Sequence, residues 1–113
     1  MFNDINVFDL QQLDFIKVLS IGDNKTFNSL YCCDLMGYAL GHIKNSAVLL
    51  TIVSSINTVA VAIKLNLPAI IFCEREKPLT ETIKYAKENG ISLFISKLNT
   101  YETARLIDLK FNH

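Results

Sequence analysis

Three short apolar runs, at residues 47–53, 69–73 and 91–96, each break into small polar or charged residues and then into a helical pattern. Strand-like runs that alternate in this way with helical stretches are the sequence form of a parallel α/β sheet, whose strands are buried on both faces. The breaks read Ser54-Ser55-Ile56-Asn57-Thr58, Cys73-Glu74-Arg75-Glu76-Lys77-Pro78 and Ser96-Lys97-Leu98-Asn99-Thr100. In open parallel sheets ligands sit at the carboxyl ends of the strands, so these breaks mark the edge at which a binding site is expected. The expected fold class is α/β: a small, largely parallel sheet with helices packed on it. With 113 residues and no linker, repeat or low-complexity tract, residues 1–113 make one domain. A chain of this size buries about two thirds of its unfolded surface and needs no disulfides.

The first thirty residues carry weaker signals. Val7, Leu10 and Leu13 stand at helical spacing, residues 15–21 alternate as a strand would, and Gly22-Asp23-Asn24-Lys25 reads as a turn. Residues 27–33 form a second expected strand, after which Asp34 is placed to cap a helix through Met36, Ala39 and Leu40 that Gly41 would stop. Ser55 or Asn57 is placed to cap the next helix, which runs to Leu65 and is nearly all apolar, so that it must be buried on more than one side. Residues 79–89 predict a one-faced helix with Leu79, Ile83 and Ala86 inward, Glu81, Lys84, Lys87 and Glu88 outward, and Gly90 just past its end. Asn99 and Glu102, three apart, open the last helix as a capping box, and it continues through Tyr101, Ala104 and Ile107.

Composition excludes several functions. Eleven basic residues balance 11 acidic ones, and only Arg75 and Arg105 are arginines, which argues against a nucleic-acid footprint. Residues 47–63 are free of charge, but Ser54, Ser55, Asn57 and Thr58 interrupt them, so a buried strand and helix are expected there and not a membrane span. Met-Phe-Asn-Asp lacks the features of a secretory leader, and three cysteines make no paired framework, so the expected location is the cytoplasm. No cofactor motif is present: neither GxGxxG nor GxxxxGK[ST] occurs. No metal site is expected either, because Cys32 and Cys33 point to opposite faces of a strand and His42 and His113 are isolated.

The candidate ligand-binding residues are therefore those at the strand ends: Asp34, Ser54, Ser55, Asn57, Thr58, Cys73, Glu74, Ser96, Asn99 and Thr100. The cluster at 54–58 offers hydroxyls at a helix N-terminus, which suits an anion, although helix capping explains the same residues. Cys73 ends a strand beside Arg75, which could lower a thiol pKa, yet no histidine base lies near it in sequence, so no catalytic residue is assigned. Glu74 and Glu76 are expected to be solvated or paired at the surface with Arg75 and Lys77.

In their order along the chain, Cys33-Asp34-Leu35-Met36-Gly37-Tyr38-Ala39, the run 48–53, Asn57-Thr58-Val59-Ala60-Val61-Ala62, Leu67-Pro68-Ala69-Ile70-Ile71-Phe72, Gly90-Ile91-Ser92-Leu93-Phe94-Ile95-Ser96 and Thr100-Tyr101-Glu102-Thr103-Ala104 resemble a stand-alone DRTGG domain over residues 8–108. The resemblance implies a regulatory or interaction module, found alone or joined to phosphate acetyltransferases and CBS-containing pyrophosphatases. It also implies a fold similar to the N-terminal domain of HPr kinase/phosphorylase. The residues that name the family, an Asp-Arg and a Thr-Gly-Gly after successive strands, correspond to Ser54-Ser55 and Cys73-Glu74-Arg75 and are missing. The expected function is a non-catalytic module that binds a nucleotide, another phosphorylated metabolite or a partner enzyme. The over-apolar helix at 58–65 would gain a second surface in a homodimer. The alternatives are a small transferase-type enzyme using a strand-end cysteine or serine, and a purely structural partner subunit.

Overall fold

The computed structural model describes residues 3–112. In chain order they form β1 (Ile5–Asn6), a 3₁₀ helix (Val7–Gln12), β2 (Ile16–Ser20), β3 (Thr26–Phe27), β4 (Ser29–Cys32), α1 (Met36–His42), β5 (Ala47–Thr51), α2 (Ile56–Leu65), β6 (Ala69–Phe72), α3 (Thr80–Glu88), β7 (Ser92–Ser96) and α4 (Thr100–Phe111). Five strands make the main sheet in the order β2-β7-β6-β5-β4. The four from β4 to β7 are parallel, and β2 joins the edge antiparallel to β7. The expected α/β class, with a largely parallel sheet and packed helices, is the one found.

The alternation of side chains along each strand divides the core into two layers. Val48 and Leu50 of β5, Ala69 and Ile71 of β6 and Phe94 of β7 face the 3₁₀ helix and α4, where they meet Val7, Leu10, Phe27 and Ile107. Leu49, Ile70, Phe72 and Leu93 face the other way, against Met36 of α1, Val59 and Ala62 of α2 and Ala86 of α3. Every residue of β5 and β6 is buried, as strands covered on both faces require.

Helix α2 lies between α1 and α3. Thr58, Val59, Val61 and Ala62 are buried and Ala60, Ile63 and Leu65 half-buried. Its two flanking helices therefore supply the extra burial that the sequence suggested a second copy might provide. The charge-free stretch 47–63 is β5 followed by α2, and among the described residues no helix is long and apolar enough to cross a membrane.

Other local expectations change where tertiary partners compete. The strand expected at 27–33 is two strands, because the chain leaves the small β1–β3 ribbon at Asn28, whose N–H bonds the Ser46 carbonyl, and then joins β5. The helical pattern at Val7, Leu10 and Leu13 becomes a 3₁₀ helix capped by Asn6. Asp34 does not cap α1: Leu35 holds the N-cap position and the Asp34 carboxylate turns to β5. Gly41 does not stop α1, which continues through it to His42. Ser55 takes the N-cap position of α2 without a side-chain bond, and Asn57 lies inside the helix. Leu79, expected inward, is the exposed N-cap of α3.

Two helix ends are as expected. Asn99 caps α4 by accepting from the Glu102 N–H at 2.8 Å. Gly90, at φ 77°, ends α3 in a Schellman turn, with the Ile91 N–H on the Ala86 carbonyl and its own N–H on the Lys87 carbonyl. Gly22 passes directly over this turn: its N–H meets the Ser92 hydroxyl at 2.9 Å, and a Cβ there would run into the Gly90 carbonyl. Gly22→Ala is expected to cost about 1–3 kcal/mol in urea unfolding, because both colliding groups are backbone. Gly37→Ala, where a Cβ meets nothing within 4 Å on an exposed turn of α1, is expected to raise stability by about 0.5–1 kcal/mol instead.

Candidate functional site

Since β4 to β7 are parallel, their carboxyl ends share one edge. Most of the polar residues expected there are spent on holding its loops. The Asp34 carboxylate accepts from the Thr51 hydroxyl at 2.8 Å and the Ile52 N–H at 3.0 Å, tying the turn after β4 to the end of β5. The Thr58 hydroxyl is buried and donates to the Val53 carbonyl at 2.8 Å. Ser96 and Thr103 are buried with their hydroxyls 2.7 Å apart; Ser96 Oγ also accepts from the Leu98 N–H, and Thr103 donates to the Asn99 carbonyl. Ser54 is half-buried and Ser55 and Asn57 are exposed at the start of α2.

Cys73 lies fully buried under the N-terminal end of α4. Burial pushes its thiol up from the ordinary value; the Thr100 and Thr103 hydroxyls pull it down without cancelling the burial, and Asp34 and Glu74 add to the rise. A buried thiol with a raised pKa is a poor nucleophile, which counts against the cysteine form of the transferase reading. Among the described residues, no three His, Cys, Asp or Glu side chains converge as a metal site. His42 bonds the Tyr38 carbonyl through Nδ1 at 2.8 Å and stacks on the Tyr38 ring at 3.8 Å, and His113 lies outside the described residues.

The open site is elsewhere on the same edge. A cleft of about 500 Å³ is lined by Asp14, Phe15, Ile16, Lys17, Leu19, Arg75, Lys77, Ile95 and Lys97, within the size range of small-molecule sites. Lys17 lies on β2 opposite Ile95 of β7, Lys97 follows β7 with its N–H on the Phe15 carbonyl, and Arg75 and Lys77 come from the loop after β6. Four cations and one carboxylate, Asp14, thus line one cleft together with Phe15, Ile16, Leu19 and Ile95. In a chain whose formal charge is zero, this is a local concentration of positive charge suited to an anion. None of the ten strand-end residues singled out from the sequence lines it. Residues 74–77 are exposed, as the solvated surface run expected there requires, and Arg75 and Lys77 of that run also line this cleft.

The backbone that delivers Arg75 is strained. Glu74 at φ 57° and Arg75 at φ 59° are consecutive left-handed residues, and neither is glycine. Their N–H groups bond the Leu98 carbonyl at 2.8 Å and the Ser96 carbonyl at 2.9 Å, which clamps the loop to the β7–α4 connection. A non-glycine residue in this conformation costs on the order of 1–3 kcal/mol. These are the positions that the DRTGG resemblance sets opposite a Gly-Gly pair, and glycine adopts such angles freely.

Glu74→Gly is expected to raise stability by about 1 kcal/mol in urea unfolding, since it relieves the strain and loses part of the gain to glycine's greater unfolded-state freedom. At pH 8, iodoacetamide is expected to modify Cys32, which is exposed, and Cys33, which is half-buried, while Cys73 reacts only on unfolding. Peptide mapping of the alkylated protein reads this directly; rapid native modification of Cys73 would favour the enzymatic reading.

The family model described as the HPr serine kinase N terminus matches residues 50–109, more than half of the chain. Among solved structures, the CBS and DRTGG domains of the regulatory region of the Clostridium perfringens pyrophosphatase, complexed with the activator diadenosine tetraphosphate, share this fold with a TM-score of 0.77. The likeness covers 93% of this chain at 16% identity and 46% of the other, so this chain spans less than half of that structure. No curated protein matches the sequence. The family match and the shared fold agree: the chain belongs to the HPr serine kinase N-terminus family and has the DRTGG-type fold.

Proposed function

We propose that this chain is a non-catalytic regulatory or interaction module that binds a small anionic ligand, of the nucleotide or phosphorylated-metabolite class, and passes its occupancy to a partner enzyme. The observation that carries the reading is the convergence of Lys17, Arg75, Lys77 and Lys97 on one cleft at the carboxyl edge of the sheet. Two further facts support it. Cys73 is buried with its thiol pKa raised, which makes it a poor nucleophile, and the structurally similar pyrophosphatase region is regulatory and was solved with a nucleotide activator. A reducing cytoplasm is the compartment in which the three free thiols would persist.

The module acts as a homodimer in this reading, through a surface other than α2. Leu35, Ile52, Ile56 and Leu79 are 68%, 39%, 52% and 68% exposed, and they follow β4, β5 and β6 along the carboxyl edge. Apolar side chains in a row of this kind are the sort of surface that a symmetric contact buries.

A native mass spectrum of the purified protein, alone and with a panel of nucleotides and phosphorylated metabolites, tests both parts. A dimer carrying a stoichiometric anion adduct is expected, with the adduct lost in a Lys17→Glu, Lys97→Glu variant. A variant that keeps the adduct would remove the cleft from the reading. Sedimentation as a monomer at micromolar concentration would remove the dimer and leave the binding site untouched.

A further inference from the structure

We infer that the cleft is built for the polyphosphate chain of a nucleoside di- or triphosphate, and that Arg75 is the residue that tells such a chain from a single phosphate. The inference rests on the anion-binding reading above and adds the ligand's chemistry.

Charge is the first consideration. Four cations against the single carboxylate of Asp14 leave an excess of three positive charges. One phosphate monoester carries at most about two negative charges near neutral pH and would leave part of that excess unmatched. A chain of two or three phosphoryl groups carries enough charge, and it spans enough length to meet cations that come from three different segments: β2, the loop after β6 and the turn after β7. The second consideration is the apolar lining. Leu19 and Ile95 are half-buried, so the cleft joins an apolar patch to a cationic rim. A nucleoside polyphosphate has that division, with a flat, weakly polar base at one end and charge at the other.

Arg75 is singled out by its backbone. A loop held by the Glu74 and Arg75 N–H bonds to Leu98 and Ser96 would form with less strain from glycine at both positions. The side chain at 75 is thus kept in a conformation that disfavours any side chain, and it lines the cleft. It is also the one arginine among the four cations, and a guanidinium engages two phosphate oxygens at once where an ammonium offers a point charge. The bonds from the Glu74 and Arg75 N–H groups fix the backbone from which that side chain leaves, at the rim of the cleft.

The test is calorimetric titration of the full chain with inorganic phosphate, inorganic pyrophosphate, AMP, ADP and ATP at low ionic strength, repeated with Arg75→Gly and with Glu74→Gly. Pyrophosphate, ADP and ATP are expected to bind at least 10-fold more tightly than phosphate and AMP. Arg75→Gly is expected to fold at least as well as the natural chain yet lose roughly 10- to 100-fold in pyrophosphate and ADP affinity, the value of a hydrogen bond to a charged group. Glu74→Gly should keep that affinity. If phosphate and AMP bind as tightly as pyrophosphate and ADP, the polyphosphate inference is wrong while anion binding stands. If none of the five saturates the protein, the anion-binding reading itself is wrong. Unchanged affinity in Arg75→Gly would remove Arg75 from the site, and comparable losses in both glycine variants would mean that the loop's shape, and not the guanidinium, sets the affinity.

Discussion

The antiparallel pairing of β2 with β7 decides what lies at the functional edge of this domain. Ile16 meets Ser96, Lys17 meets Ile95 and Val18 meets Phe94, so the start of β2 stands beside the end of β7. A parallel strand in that place would have brought its amino end to the opposite edge of the sheet. Because the sense is reversed, Asp14, Phe15 and Lys17 come to the carboxyl edge where the loops after β6 and β7 emerge, and the Lys97 N–H closes on the Phe15 carbonyl. The cationic cleft is the space between these segments. Its residues are up to 83 positions apart in the chain, from Asp14 to Lys97, and share a surface only through this pairing.

The rest of the edge is arranged to be firm. Asp34 on Thr51 and Ile52, Thr58 on Val53, and the Ser96–Thr103–Asn99 group each bond the loop that follows one strand to the next element. Buried hydroxyls of this kind must be satisfied, and once satisfied they hold the backbone in one place. The left-handed turn at Glu74 and Arg75 can persist because its two N–H groups have fixed acceptors in Leu98 and Ser96. Rigidity around a strained segment is what allows this edge to present a preset arrangement of charge.

The layers of the fold could be read from the chain. The uninterrupted apolar runs that became β5, β6 and β7, the Asn99–Glu102 cap and Gly90 after α3 are local signals, and the structure follows them. The residues expected to meet a ligand and those that line the cationic cleft share the carboxyl edge of the sheet but are different residues. Asp34, Thr58 and Ser96 have the composition of ligand contacts, yet their polar atoms are taken by nearby backbone and hydroxyl groups. Lys17 gave no sign of its role, because it sits in a stretch whose partner strand is 70-odd residues away and whose direction in the sheet has no local signature. Arg75 and Lys77 looked like members of a balanced surface run with Glu74 and Glu76, and only the φ values of the turn reveal where they lie.

Sequence alone determined the class of the protein: buried strands alternating with helices, and helix ends set by Asn99 and Gly90. Hydrophobic period and capping chemistry act over a few residues, and a linear reading contains them in full. Tertiary structure decided the direction of β2, the split of the expected strand at Asn28, the covering of α2 by α1 and α3, and the gathering of Lys17, Arg75, Lys77 and Lys97. Each of these depends on which distant segments pair, and that is settled by the total burial and hydrogen bonding of the whole chain, a sum to which no single segment holds the answer.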